Sequence, residues 1–302
     1  MAKTDDQLAA LRRDIDAIDS QLHDLLMRRT DLAVKVGEVK AMAQPIGKGV
    51  AEGAKFIRPA REAQILRRLV ARHHGKLPRG IVVRMWREMI SALLQVEGPF
   101  AVAVYAPGDR PGFWDMARDH YGSRVPITVC DRLNQAVSAV LDGKATVAVL
   151  PYPNEDDAEP WWPHLIGRAP HVVARLPFGD PGNQRNRGLQ ALVIGAAQAE
   201  PTGRDRSLVV IETVGQVSRS SLRDALNACR MEPTSIQSRQ NQQGPELHLI
   251  EIRDFLAKDD PRLAALAHAV ADDARATWIG TYAEPLTQEE LAGQVGIEEA
   301  AS

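Results

Sequence analysis

Apolar residues recur at alternating steps of three and four through the first forty positions: Leu8, Leu11, Ile15, Ile18, Leu22, Leu25, Leu32, Val36 and Val39. That spacing predicts one long helix over 8–40 with a single apolar stripe. No proline interrupts it, and its first glycine is Gly37. Arg29 stands where the repeat calls for an apolar side chain; on this stretch alone it reads as an arginine snorkelling out of a coiled coil. At ~1.5 Å per residue the helix is roughly 50 Å long, too long for its own short neighbours to cover. A second copy of the chain is therefore expected to cover the rest. On one copy, Arg29 and Lys40 lie about 20° apart around the axis and roughly 16 Å apart along it, so their side chains could converge on one small anion. Arg12 lies roughly 25 Å before Arg29 and can reach that anion only from an antiparallel partner helix.

Beyond Lys40, Pro45, Gly47, Gly49 and Gly53 mark a loop. Its GKG lacks the spacing of a phosphate loop. Arg58-Pro59 opens a second helix, REAQILRRLVARHH, expected to stop at Gly75 with His73 and His74 in its last turn. A third helix follows Pro78 and ends at Gly98, apolar at Ile81, Met85, Met89 and Leu93. From Phe100 the pattern changes. FAVAVY, PITV and TVAVLP read as strands separated by two helical segments, a β-α-β-α-β order that implies a parallel sheet. After the polar stretch AEPTGRDR, the strands SLVVIET, TSIQSR, ELHLIEI and ATWIGTYA with two helices give the order β-α-β-β-α-β, which is ferredoxin-like.

Charge is unevenly spread. Residues 1–98 hold 18 Lys and Arg against 12 Asp and Glu, a net of +6, which leaves −8 for the remainder of a chain of net charge −2. A basic helical unit favours an anionic ligand. Nucleic acid is disfavoured, because no basic run, zinc signature or aromatic RNA-binding motif is present. Cys130 and Cys229 are far apart and read as reduced thiols of a cytoplasmic protein. The apolar runs are too short for a membrane span, and no stretch reads as a signal peptide.

Three stretches carry a family resemblance: LRRDIDAIDSQLHDLLMRRTDLAVKVGEVK, RPAREAQILRRL and WREMISALLQVEG. Over residues 8–97 the chain resembles the all-helical class of chorismate mutase, the class fused to prephenate dehydratase in many bacteria. The resemblance implies an intertwined helical homodimer that rearranges chorismate to prephenate without cofactor or metal. Such an enzyme must hold a flexible dianion in its compact conformer and stabilise charge growing on the breaking ether oxygen. By resemblance, Arg29 and the partner copy's Arg12 grip the two carboxylates and Arg61 adds positive potential. Lys40 matches the lysine that donates to the ether oxygen, and Glu62 the carboxylate that orients the ring hydroxyl. Glu97 falls where many members place a glutamine beside that oxygen. Protonated, it could donate a hydrogen bond there; ionised, it would repel the developing charge. Leu93 occupies a usual serine position, and Arg58 replaces a family aspartate.

Residues 99–197 resemble the opening lobe of prephenate dehydratase, but Leu189-Gln190-Ala191 stands where that family has threonine-arginine-phenylalanine, and the module is too short for two lobes. It is expected to be a truncated parallel α/β unit without catalysis. Residues 205–286 resemble the ACT regulatory domain, which implies a possible phenylalanine or tyrosine effector. Residues 287–302 are expected to form a frayed acidic tail. The alternatives are a bifunctional mutase–dehydratase and a non-catalytic regulatory protein that binds aromatic amino acids.

Overall fold

The computed structural model describes residues 2–43, 54, 56–180, 184–240 and 244–292. Three helices come first: α1 (Ala2–Ala43), α2 (Pro59–Arg72) and α3 (Arg79–Glu97). At 42 residues, α1 is about 63 Å long and overruns its expected limits at both ends. By contrast α2 stops short. His73 is its C-cap in an extended conformation (φ −73°, ψ 129°), so His73 and His74 do not form a last helical turn. The His73 ring instead meets the Leu77 carbonyl at 2.7 Å, which helps hold the connection to α3.

Next come β1 (Val102–Tyr105), α4 (Gly112–Tyr121), β2 (Ile127–Cys130), α5 (Leu133–Leu141) and β3 (Val147–Pro151). The three strands pair in parallel in the order β2-β1-β3. Two further strands, β4 (His171–Leu176) and β5 (Ala191–Gly195), make the sheet mixed, because β5 runs antiparallel to both β3 and β4. The sequence pattern does not single out β4, which follows the indole-rich stretch 152–167. Trp161 and Trp162 are buried there, and the Trp161 Nε1 donates to the Pro151 carbonyl at 2.9 Å.

The remaining strands are β6 (Asp205–Thr213), β7 (Pro233–Arg239), β8 (Glu246–Ile252) and β9 (Arg275–Ala283), with helices α6 (Arg219–Ala228) and α7 (Pro261–Val270). Their order β9-β6-β8-β7, antiparallel throughout, is the ferredoxin-like arrangement. At Val172↔Gly280 strand β4 pairs in parallel with β9, so all nine strands form one sheet. Gly280 has φ +150°, and a Cβ there would lie 2.3 Å from the Val172 carbonyl oxygen. Only glycine allows so close a joint.

The expectation of a frayed acidic tail is corrected for residues 287–292. They hold the short helix α8 (Gln288–Ala292). Thr287 and Glu290 form a reciprocal capping box, with Glu290 N to Thr287 Oγ1 at 3.1 Å and Thr287 N to Glu290 Oε2 at 2.7 Å. Arg204 grips the Glu290 carboxylate with two bonds of 2.9 and 3.0 Å, and Leu291 is buried. Residues 293–302 lie outside the described residues.

The helices share their cores with the sheet. Ile90 and Leu94 of α3 pack in one cluster with Phe100, Val102 and Val147. Leu66 and Val70 of α2 pack with Phe178, Leu286 and Leu291. The apolar stripe of α1 stays uncovered: Leu11, Leu25 and Val39 are 59 %, 57 % and 67 % exposed.

Candidate active site

Where α1, α2 and α3 meet, an open cavity of ≈ 380 Å³ is lined by Arg29 and Lys40 from α1, Arg61 and Glu62 from α2, and Glu97 from α3. Five of the six site residues expected from the sequence are thus brought together, although they span nearly seventy positions. The sixth, Arg12, is exposed near the start of α1 and does not line this cavity.

Local packing explains the convergence. Gly37 lets α1 approach the end of α3, since a Cβ there would sit 3.1 Å from the Glu97 carbonyl oxygen. One helical turn later the Lys40 ammonium donates to Glu97 Oε2 at 2.7 Å and to the Phe56 carbonyl at 2.9 Å. Both side chains of this ion pair are largely shielded, at 19 % and 13 % exposure. Glu97, expected to act on the ether oxygen, therefore holds the lysine assigned to that oxygen. Burial lowers Arg29 from its usual guanidinium range, with Glu97 acting in the opposite direction. Leu93 lines the wall and is buried, so at that position the cavity offers an apolar surface and no hydrogen bond.

Among the described residues, the cavity carries four cationic side chains, Arg29, Lys40, Arg58 and Arg61, against two carboxylates. No described group of His, Cys, Asp and Glu could hold a metal ion. Permanently charged forks around an open, partly apolar cavity suit a small molecule bearing carboxylates.

Residues 11–98 match the family model described as chorismate mutase type II. This part of the chain is a chorismate mutase type II domain. Curated relatives include the bifunctional chorismate mutase/prephenate dehydratase of Pseudomonas aeruginosa, 33% identical over 154 residues, which covers 50% of this chain and 40% of that protein. The protein of the same description from Stutzerimonas stutzeri is 32% identical over 154 residues, with the same coverage. The match thus spans about two fifths of the length of these relatives. An alignment of that length exceeds the mutase domain, so the likeness continues into the α/β region. Among solved structures, a prephenate dehydratase from Streptococcus mutans superposes with a TM-score of 0.45 at 16% identity, covering 62% of this chain and 98% of that one.

Arg58, noted in the sequence as standing in place of a family aspartate, lines the cavity and pairs with Glu200 at 2.5 Å. One residue beside the candidate site escaped the sequence reading: Arg87 lies behind the cavity wall and donates to Glu62 Oε2 at 2.7 Å. A signal for Arg87 was present, since it falls at helical spacing between Val83, Ile90 and Leu94 on the buried face of α3, just as Arg29 interrupts the stripe of α1.

Proposed function

We propose that the chain is a chorismate mutase that acts as a homodimer. The observation that carries the reading is the convergence of Arg29, Lys40, Arg61, Glu62 and Glu97 on one cavity of a mutase-type domain. Arg29 grips one carboxylate of chorismate. Arg12 of a second copy, brought in by an antiparallel α1, grips the other. The exposed stripe of α1 supports that pairing, because a continuous apolar face along a 42-residue helix is costly in water. With the dianion held compact, the reacting carbons approach each other, and Lys40 stabilises charge as it grows on the ether oxygen. Glu62 orients the ring hydroxyl. Nothing in this scheme requires a cofactor.

The α/β unit at 99–197 is a dehydratase-like module without catalysis, and the ferredoxin-like unit at 205–286 is an ACT-like module open to phenylalanine or tyrosine as effector. Leu189-Gln190-Ala191 at the start of β5 supports the first point. Gln190 is occupied by Arg175, with Nη2 to Oε1 at 2.7 Å. Among the described residues no helix is long and apolar enough to cross a membrane, in keeping with a cytoplasmic enzyme.

The test is an assay of chorismate consumption by the purified chain, with and without aromatic amino acids, followed by product analysis. Prephenate alone is expected. Phenylpyruvate would favour the bifunctional reading, which the curated relatives' description makes the natural competitor. No consumption would overturn the mutase reading.

A further inference from the structure

Glu62 stands in a wall between two spaces. One side faces the site cavity; the other faces a narrow cavity lined by Arg87, His120, Tyr121 and Phe178. On that far side Arg87 Nη1 donates to Glu62 Oε2 at 2.7 Å, and the two side chains are only 7 % and 12 % exposed. Glu62 Oε1 has no partner among the described residues. Three of the groups that line this cavity with Arg87 come from outside the mutase domain. Phe178, beyond the end of β4, places its ring 5.3 Å from the guanidinium. His120 and Tyr121, at the end of α4, close the remaining side. Burial, and then Arg87, hold His120 well below its usual range, while burial and then Glu62 raise Tyr121, so both neighbours stay neutral. Arg87 is thus left with Glu62 as its one close anion among these lining residues. A buried guanidinium paired with a carboxylate at the edge of a cavity fixes that carboxylate's rotamer far better than solvent does.

We infer that Arg87 is a positioning residue that clamps one oxygen of Glu62 from behind, leaving the other aimed at the substrate hydroxyl, and that the α/β unit maintains this clamp by burying it. This inference rests on the mutase reading and deepens it. It gives the dehydratase-like unit a task in mutase catalysis through Phe178, His120 and Tyr121, although none of them lines the site cavity.

The experiment is a double-mutant cycle on the full chain. It measures kcat/KM for chorismate in wild type, E62Q, R87Q and E62Q/R87Q, with thermal midpoints recorded alongside. Coupled neighbours should make R87Q cost about tenfold in the wild-type background and less than about twofold once Glu62 is already Gln. R87K, which keeps the charge without the planar fork, should recover part of the loss. Equal losses in both backgrounds, or wild-type activity in R87Q, would overturn the inference. If R87Q does not fold, R87K takes its place in the same cycle, with the same additivity criterion. A wild type that leaves chorismate untouched overturns the mutase reading itself; an active wild type with an additive cycle overturns this inference alone.

Discussion

The Lys40–Glu97 contact is the residue-scale feature with the most direct chemical consequence. At 2.7 Å the ammonium is already satisfied by a carboxylate, so under the proposed mechanism the ether oxygen would compete for it and the neighbouring anion would oppose the charge that develops there. Replacing Glu97 by Gln should raise kcat/KM at neutral pH by about tenfold, the scale of one hydrogen bond to a charged group. An E97Q variant no faster than wild type would count against the idea. A second carboxylate, Glu251, is 2 % exposed and accepts from Tyr152 at 2.7 Å, Arg206 at 2.7 Å, Thr234 at 2.5 Å and from Tyr282. Burial alone would raise it, but these bonds prevail and hold it below its usual range. A group depressed in the folded state stabilises fully above its unfolded value, ~4.3 for glutamate, and that contribution is lost as pH falls through the folded value. E251Q should therefore cost about 3 kcal/mol at pH 7 in urea unfolding, with the gap to wild type narrowing below pH ~4.

At the scale of elements, α1 does two jobs with two faces. Ala33, Gly37 and Lys40 lie on the face turned to α3, whereas Leu11, Ile15, Ile18, Leu22 and Leu25 remain more than half exposed. Antiparallel pairing with a second α1 would cover that stretch and carry Arg12 towards the other copy's Arg29. Mixing inactive R12A and R29A chains tests this directly. Random re-pairing gives half the dimers as hybrids, each with one intact site, so activity should recover to about a quarter of wild type. No recovery, with dimers confirmed by light scattering, would place Arg12 outside the site. The helix α2 is also two-faced: Arg61 and Glu62 line the cavity, while Arg67 donates to the Arg204 and Glu284 carbonyls at 2.8 and 2.6 Å.

For the whole molecule, the consequence is that the mutase domain is not an independent body. Phe56, Ile57, Ile90 and Leu94 complete a core whose other half belongs to the α/β unit, and α2 rests on Phe178 and α8. A fragment of residues 1–98 would expose these faces along with the α1 stripe. It should therefore unfold at a markedly lower temperature than the full chain, or aggregate, in a thermal scan. A fragment as stable as the full chain would show that the sheet contributes nothing to the site's support.

The helices, and the Arg29 and Lys40 part of the candidate site, were legible in the sequence because both are written in local order. A stripe at spacing three and four needs only a helix to become a face, and Arg29 was visible as the one polar break in it. Arg61 and Glu62 sit in the first turn of a helix announced by proline. The ferredoxin-like order of strands and helices was legible for the same reason, since period-two alternation marks each strand. Tertiary structure alone decided what depends on partners distant in the chain. It placed β4 between β5 and β9 and fused two units into one sheet at Val172 and Gly280. It also turned part of an acidic tail into a docked helix held by Arg204. The same holds for the two acidic site residues: Glu62 faces Arg87 and Glu97 faces Lys40. A charge in a sequence carries a sign, but its partner is set by which surfaces the packed core brings within hydrogen-bond reach.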